Sequence, residues 1–290
     1  MGSAIGVATG QPFQLRSARR VAGSSVHRSL MVSDGAHRYF IKFNRTDYLE
    51  HFKAEAEGLL ALREAGVRVP LAVATGQSSE HAFIILEYLD LTRGLDARDG
   101  WAVALAHMVA DLHEVSGTLF GWPRGNFIGA TPQSNTQTDS WLSFWRDERL
   151  IPQLRLAARI GHEGAIHDLG ERILDALPAL FDGHQPAPSL LHGDLWSGNA
   201  GFTSDGEPAI FDPAVYYGDR EADIAMTELF GGFPREFHDA YFDIAPMAEG
   251  YELRRGVYNL YHVLNHLNLF GGAYRDQAET LMRRLLAEVS

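Results

Sequence analysis

The chain has 290 residues, of which 46% are hydrophobic, so it is long enough to form one large globular domain or two ordinary ones. Its 37 acidic and 25 basic side chains give a formal net charge of −12, which argues against a nucleic-acid partner because phosphate backbones bind basic surfaces. No cysteine is present, which excludes disulfides, thiolate metal sites and cysteine nucleophiles.

The N-terminal residues 1–13 lack a basic segment followed by an apolar run, which is the pattern of a signal peptide. No stretch of the chain reaches eighteen consecutive apolar residues. We therefore expect no membrane partner and a cytoplasmic location.

The first ninety residues are predicted to form mainly strands. Two apolar runs within 24–44 flank a turn that carries Asp34 and Gly35, which indicates a β-hairpin. Apolar residues then recur at helical spacing over 49–66, and Gly66 is placed to end that helix. A short apolar run at 81–90 follows and predicts a buried strand.

After residue 100 the pattern changes to amphipathic helices, which are predicted at 100–115, 140–161, 165–181 and from Arg220 onward. Short strands are predicted at 188–192 and 208–212. The sequence therefore predicts an α+β fold with a small strand-rich N-terminal lobe, a linker near 88–95 and a larger, mainly helical C-terminal lobe.

Between these two strands lies the polar segment LLHGDLWSGNAGF, residues 190–202. Its spacing H-x-D-x-x-x-x-N, followed by a strand that ends in Asp, is a recurring arrangement for phosphoryl transfer. Asp194 would accept the proton of a substrate hydroxyl, while Asn199 and Asp212 offer the hard oxygen ligands that Mg²⁺ prefers. The alternative is an ordinary loop rich in turn-forming residues.

A kinase of this type also needs a lysine that holds the α- and β-phosphates of ATP, and a helix glutamate that orients the lysine. Lys42, one of two lysines in the chain, lies on a predicted strand, and Glu55 follows thirteen residues later on the predicted helix. The alternative is an exposed Lys and Glu without a partner. The cofactors predicted from these residues are ATP and Mg²⁺.

The remaining contacts to ATP are predicted from weaker patterns. The segment 21–29 contains a single glycine, and its candidates for covering the phosphates are Gly23, Ser24 and Ser25. A plain hairpin turn explains that segment equally well. The candidates for binding adenine through the backbone are Glu87, Tyr88 and Leu89, where the alternative is simply the end of a strand.

The motif LLHGDLWSGN, followed by IFDPAVYYGDREADIAM, resembles the fructosamine kinase (ketosamine 3-kinase) family. This family is a branch of the protein-kinase-like fold that aminoglycoside phosphotransferases and choline kinases share. The resemblance continues through FKAEAEGLLAL, FGWPRGNFIGATPQSNTQTDSWLSFWRDERLIPQL and YNLYHVLNHLNLFGG. The forms D-L-W-S-G-N and N-F-I-G…P-Q-x-N are far more specific than H-G-D alone.

The resemblance implies a two-lobed protein-kinase-like fold whose N-terminal lobe is an antiparallel sheet with one helix. Residues 1–88 would form the nucleotide-binding lobe, and residues 89–290 the catalytic and substrate-binding lobe. It also implies Asp194 as the base, Asn199 and Asp212 as magnesium ligands, and Lys42 with Glu55 as the ion pair that anchors the phosphates.

Further roles are implied by the resemblance for residues outside this set. Asp223 would brace the catalytic loop from a helix, and Trp196 would stack on the sugar or its amine. Asn265 and His266 are candidates for the far wall of the substrate pocket.

The implied activity is ATP-dependent phosphorylation of the sugar 3-hydroxyl of a ketosamine, an amine glycated by a reducing sugar. The phosphorylated adduct then eliminates phosphate and the amine is restored. One alternative keeps the fold but changes the acceptor to an aminoglycoside, a choline-like compound or another small alcohol. Another is a pseudokinase-type binding module. The preferred sugar, the choice between free and protein-bound ketosamine, and the oligomeric state are left open.

Overall fold

The computed structural model describes residues 2–21, 26–92 and 100–289. Within these ranges the strands are β1 (Ser17–Val21), β2 (Arg28–Ser33), β3 (Arg38–Asn44), β4 (Ala72–Gln77), β5 (Ala82–Glu87), β6 (Leu91–Thr92), β7 (Asn126–Ile128), β8 (Thr131–Gln133), β9 (Ser189–Leu191), β10 (Ala200–Thr203), β11 (Pro208–Ile210) and β12 (Tyr216–Gly218). The α-helices are α1 (Gly2–Thr9), α2 (Leu49–Glu64), α3 (Trp101–Glu114), α4 (Trp141–Phe144), α5 (Ile151–Arg159), α6 (Ala165–Leu180), α7 (Glu221–Leu229), α8 (Arg235–Ile244), α9 (Tyr251–Phe270) and α10 (Arg275–Glu288).

Strands β1 to β5 form one antiparallel sheet in the spatial order β1-β2-β3-β5-β4. Ile41 of β3 pairs with Ile85 of β5, and both pack in a buried cluster with Ile5 of α1. Because successive side chains of a strand point to opposite faces, Lys42 points away from this cluster. Helix α2 packs on β4 and β5. On the face opposite the cluster, Lys42 donates a hydrogen bond to Glu55 of this helix.

The predicted hairpin is confirmed as strands β2 and β3. The Asp34 carboxylate accepts hydrogen bonds from the backbone N–H groups of Ala36 at 2.8 Å and His37 at 2.7 Å. Gly35 has a φ of 98°, a conformation that glycine adopts without steric cost. The turn is therefore built by the two residues from which it was predicted.

The predicted end of helix α2 is also confirmed. Gly66 has a φ of 86°, and its N–H donates to the carbonyl of Arg63 at 3.0 Å. The N–H of Val67 donates to the carbonyl of Leu62 at 3.0 Å. This pair of bonds is a Schellman motif, which satisfies carbonyls at the end of a helix and lets the chain turn away.

The helices predicted at 100–115 and 165–181 are confirmed as α3 and α6. The helix predicted at 140–161 is present, but its middle is a π-helix at Trp145–Leu150 that joins α4 to α5. Around it lies a large buried apolar cluster, which contains Trp145 and Tyr258. Arg149 of the π-helix lies inside this part of the protein, fully shielded from solvent.

The structure contains elements that the sequence patterns did not predict. Helix α1 precedes the sheet, and the basic segment at 16–20 lies mostly in the exposed edge strand β1. The strand predicted at 208–212 ends at Ile210, two residues earlier than expected. In the described part of the chain, no helix is both long and apolar enough to cross a membrane.

Contacts between Cα atoms divide the chain into two compact units. The first consists of Met1–Trp101 and Asn199–Pro213, and it contains the five-stranded sheet, α2 and the β10–β11 hairpin. The second consists of Ala102–Gly198 and Ala214–Ser290, and it contains β9, β12 and helices α4 to α10. The functional division at residue 88 stays a prediction.

Candidate active site

Asp194 lies in the second unit on a loop that follows strand β9. Its backbone N–H donates to His192 Nδ1 at 3.2 Å, and its side chain is half-buried. The residue before it, Gly193, has a φ of 81°. A Cβ on Gly193 would lie 2.1 Å from the carbonyl oxygen of Ala214, so only glycine lets the chain pass here.

The backbone on either side of Gly193 is held by a buried carboxylate. Asp223 of helix α7 accepts hydrogen bonds from the N–H groups of His192 at 2.7 Å and Gly193 at 2.9 Å. His113 Nε2 lies 3.3 Å from the same carboxylate. Burial opposes ionisation of Asp223, but the hydrogen bonds and nearby histidines outweigh it and lower the pKa of its carboxyl. Asp223 thus contacts the loop as the bracing role requires.

Replacement of Asp223 by Asn is expected to destabilise the protein by about 3 kcal/mol at pH 7, because buried donors lose a charged acceptor. Since the folded pKa of Asp223 is lowered, its contribution is complete above the unfolded-state value of about 3.9 and is lost as the pH falls through the folded pKa. Urea unfolding at pH 7 and at pH 3 measures both effects. Equal unfolding free energies of the two proteins at pH 7 would contradict the bracing role.

Lys42, Glu55 and Asp212 form an ion cluster within the first unit. Lys42 Nζ lies 2.7 Å from Glu55 Oε1 and 2.5 Å from Asp212 Oδ1. The Lys42 side chain is 5% exposed and that of Asp212 is 38% exposed. Burial alone would lower the pKa of Lys42, but the two carboxylates outweigh it and raise that pKa, so the ammonium stays charged. Burial, together with the charge of Asp212, raises the pKa of Glu55.

Asp212 reaches Lys42 from an uncommon backbone conformation. Its φ is 58°, and among the described residues no other non-glycine residue has a positive φ. Asp tolerates this left-handed region better than most residues, and such outliers occur preferentially at functional sites. The chain therefore turns sharply at Asp212, shortly after strand β11, and no pattern in the sequence indicated this turn.

Asn199 and Asp212 lie close together at one end of the β10–β11 hairpin. The Asn199 carbonyl oxygen accepts a hydrogen bond from the N–H of Phe211 at 3.0 Å, which continues the ladder that pairs Ala200 with Ile210. Asn199 is buried, with 5% of its surface exposed. The hairpin thus brings an amide and a carboxylate, both oxygen donors, to adjacent positions.

Of the three residues predicted to bind adenine, Glu87 ends strand β5, and Tyr88 and Leu89 follow it. Arg68 donates two hydrogen bonds to the carboxylate of Glu87, at 2.7 and 2.9 Å, and lowers the pKa of that carboxyl. The N–H of Glu87 donates to the carbonyl of Leu71 at 2.8 Å. Tyr88 lies under the guanidinium of Arg38 at 4.7 Å, and Leu89 is half-buried. The side chain of Glu87 is therefore bound to Arg68, and the backbone contact of these residues with adenine stays a prediction.

The predicted phosphate loop, Gly23, Ser24 and Ser25, lies outside the described residues. Two residues after Ser25, His27 Nδ1 lies 3.2 Å from Asn44 Nδ2, and the imidazole packs against Phe52. Burial, followed by the charge of Lys42, lowers the pKa of His27 to about 3. The imidazole is therefore neutral at physiological pH.

The predicted substrate residues differ in their surroundings. Trp196 is 37% exposed, and its ring fills the space next to Gly198, where a Cβ would lie 2.2 Å away. His266 is half-buried on helix α9 between aromatic rings, the nearest of which is Phe230. Asn265 is buried and accepts a hydrogen bond from Gln153 at 3.3 Å, so its position does not support the predicted contact with substrate.

Sequence patterns gave no signal for Arg68. Besides binding Glu87, Arg68 accepts a hydrogen bond from the N–H of Ile210 at 3.1 Å through its carbonyl. Arg68 therefore ties the end of β5 to the hairpin that carries Asn199 and Asp212. Its two neighbours are far away in sequence, so only the folded structure brings them together.

A second set of titratable residues also escaped the sequence patterns. His184, Asp219 and Glu221 place one possible metal-binding atom each within 4.8 Å of the others. Their carboxylates already have protein partners, because Arg254 binds both oxygens of Glu221 and Tyr258 donates to Asp219. The set is therefore a buried charge network that joins helices α7 and α9.

Comparisons with known proteins agree over nearly the whole chain. The sequence model of the fructosamine kinase family matches residues 2–288. A probable ketoamine kinase of Synechocystis is 44% identical over 284 residues, which cover 97% of this chain and 94% of that protein. A chloroplastic protein-ribulosamine 3-kinase of Arabidopsis thaliana is 37% identical over 279 residues, covering 94% and 83% of the two chains. A crystal structure from Haemophilus somnus, provisionally assigned as a fructosamine-3-kinase, superposes with a TM-score of 0.90 at 29% identity and covers 98% of this chain and 96% of that one.

Proposed function

Since the chain belongs to the fructosamine kinase family, and is thus a kinase, we propose that it transfers the γ-phosphoryl group of ATP to the 3-hydroxyl of ketosamines. The observation that carries this proposal is the ion cluster in which the buried Lys42 bridges Glu55 and Asp212. A charged ammonium oriented by a helix carboxylate is the arrangement that holds the α- and β-phosphates in protein-kinase-like enzymes. The acceptor class is taken from the relatives, which are named as a ketoamine kinase and a protein-ribulosamine 3-kinase.

In the proposed reaction the 3-oxygen of the sugar forms a bond to the γ-phosphorus, and the bond from that phosphorus to the β,γ-bridging oxygen breaks, which releases ADP. The proton of the hydroxyl passes to the carboxylate of Asp194. Asp194 suits this role because the loop is held by Asp223 on one side and by the tight turn at Gly193 on the other. The 3-phosphate is then a good leaving group, so its elimination followed by hydrolysis restores the amine.

Asn199 and Asp212 would hold Mg²⁺ with the phosphates of ATP. Both offer oxygen, the donor that this hard cation prefers, and they lie at adjacent positions of one hairpin. With all three groups ionised, the cluster of Lys42, Glu55 and Asp212 has a net charge of −1, which favours binding of a cation beside it. When bound, the ion neutralises charge on the phosphates. The half-exposed carboxylate of Asp212 is accessible for such binding.

Binding of adenine by the backbone near Tyr88 and Leu89 is part of the proposal. The strand that precedes them is fixed, because the Glu87 N–H bonds Leu71 and the Glu87 carboxylate bonds Arg68. Stacking of Trp196 on the substrate sugar is also proposed, since its indole remains exposed two residues after Asp194.

A panel of acceptors tests the proposal. The protein is incubated with Mg-ATP and the ribulose, erythrulose and fructose derivatives of one amine, with kanamycin and choline as the alternative acceptors, and ADP is measured. We expect ADP formation that depends on a ketosamine. ADP formed only with kanamycin or choline would assign another acceptor to the same fold, and ATP binding without transfer to any acceptor would favour a binding module.

A further inference from the structure

The motif N-F-I-G…P-Q-x-N marks the chain as family-like, yet none of its residues has a part in the reaction described above. In the structure its polar side chains, Asn126, Gln133 and Asn135, are all buried. Burial of unpaired amides is costly, so each must find partners inside the protein. The partners that they find lead to the catalytic loop.

Two of the amides bind the backbone that follows Asp212 and Pro213. Asn126 Nδ2 donates to the carbonyl oxygen of Val215 at 2.8 Å, and Gln133 Nε2 donates to that of Ala214 at 3.3 Å. Gln133 Nε2 also donates to Asn126 Oδ1 at 2.8 Å, so the two side chains fix each other. The peptide carbonyls of 214 and 215 are thereby held in one orientation.

Tyr261 of helix α9 completes the arrangement on the other side of Gln133. Its hydroxyl donates to Gln133 Oε1 at 2.5 Å, which determines which end of the amide faces Ala214. Burial raises the pKa of the Tyr261 phenol, so the hydroxyl keeps its proton at neutral pH and remains a donor.

Arg149 fixes the third amide. Its guanidinium donates to Asn135 Oδ1 at 2.8 Å, and Asn135 Nδ2 in turn donates to Asn126 Oδ1 at 3.0 Å. The guanidinium stacks on the ring of Tyr216 at 4.0 Å, two residues after Ala214. The π-helix that carries Arg149 is the kind of irregularity that recurs at functional sites.

Ala214 connects these side chains to the loop that carries Asp194. Its N–H donates to the carbonyl of His192 at 2.8 Å, and its carbonyl oxygen lies against Gly193 so closely that no Cβ would fit. A rotation of the peptide between Ala214 and Val215 would move the carbonyl that lies against Gly193, and a shift of the peptide between Pro213 and Ala214 would break the bond to His192. Either change affects one of the two residues that precede Asp194, His192 or Gly193.

We propose that Asn126, Gln133, Asn135, Arg149 and Tyr261 are positioning residues that hold Asp194 in place through the backbone of Ala214. The path runs from the Tyr261 hydroxyl through Gln133 and Ala214 to His192. This inference rests on the proposed role of Asp194 as the base. It assigns the family-like motif to the geometry of the catalytic loop rather than to contact with the substrate.

Tyr261→Phe tests the path because it removes one hydroxyl and keeps the ring. We expect kcat to fall about tenfold, the effect of one buried hydrogen bond, while KM for ATP stays within twofold of the wild-type value. Tyr251→Phe is the matched control, since this tyrosine lies on the same helix and donates to Glu228, away from Ala214. It should change stability in urea but leave kcat within twofold.

A second variant and a double mutant distinguish a specific effect on the position of Asp194 from a general loss of stability. Gln133→Met removes the bond to Ala214 directly and should lower kcat at least as much as Tyr261→Phe. In an Asp194→Asn background, Tyr261→Phe should have no further effect on the residual rate.

Unchanged kcat in both Tyr261→Phe and Gln133→Met, or equal losses in Tyr261→Phe and Tyr251→Phe, would overturn the inference. So would a full tenfold effect of Tyr261→Phe in the Asp194→Asn background. If Asp194→Asn itself keeps normal turnover, the assignment of the base is wrong. That outcome is distinguishable from failure of the positioning inference, because the single variant Asp194→Asn leaves Tyr261 unchanged.

Discussion

Asp194→Asn is expected to lower kcat for phosphorylation of a ketosamine by a factor of about 10² to 10⁴, the usual contribution of a general base. The amide has nearly the shape of the carboxylate but cannot accept the hydroxyl proton. The loop itself should keep its conformation, because it is held by backbone bonds to Asp223, Ala214 and the His192 ring. Affinity for Mg-ATP, measured by calorimetry, should therefore remain within a few-fold.

The matched control for this substitution is Asp168→Asn, which changes the same atoms on the exposed first turn of helix α6. That variant should keep the kcat of the wild-type protein. If Asp194→Asn turns over within tenfold of the wild-type rate, another group accepts the proton and the assigned base is wrong.

Lys42→Met is expected to lower kcat/KM for ATP by about 10² to 10³, a loss comparable to that of one preorganised electrostatic group. The change also leaves Glu55 and Asp212 without the cation that they share, so the protein should lose about 3 kcal/mol of unfolding free energy at pH 7. Steady-state kinetics with varied ATP and urea unfolding without ATP measure the two effects separately.

The chain supplies a close control, because its other lysine, Lys53, lies on helix α2 and makes an exposed pair with Glu50 at 2.8 Å. Such surface pairs contribute about 0–1 kcal/mol, so Lys53→Met should leave both measurements almost unchanged. Lys42→Arg distinguishes the effect of the charge from that of the side-chain shape, since it keeps a cation but replaces the compact ammonium by a planar guanidinium. If Lys42→Met keeps the wild-type kcat/KM for ATP, the proposed role of Lys42 in binding the phosphates is wrong.

Local patterns were enough to predict the elements that carry Lys42 and Glu55. The turn at Asp34 and Gly35 and the helix end at Gly66 each depend on residues that are neighbours in sequence. The period of the strand and that of the helix then put an ammonium and a carboxylate on facing surfaces. The α+β, kinase-like fold was predicted in the same way, with the family resemblance adding the specific architecture.

Contacts between distant segments were not predictable from one sequence. The left-handed turn at Asp212 has no composition signal, because Asp is common in ordinary turns. The bond from Tyr261 to Gln133 spans 128 residues, and the buried position of Arg149 depends on a π-helix that the amphipathic pattern of 140–161 did not indicate. Asn265 is a candidate for the substrate pocket by the family resemblance, whereas in the structure it is buried and accepts a hydrogen bond from Gln153.

The most direct test of the proposed reaction is ³¹P NMR of a ribulosamine incubated with the protein and Mg-ATP, followed over time. We predict a new phosphomonoester signal coupled to the proton on carbon 3 of the sugar. It should then decay to inorganic phosphate as free amine appears, and the 3-deoxy analogue of the same ribulosamine should give no such signal. Phosphorylation at another position, or equal phosphorylation of the 3-deoxy analogue, would contradict the proposed reaction.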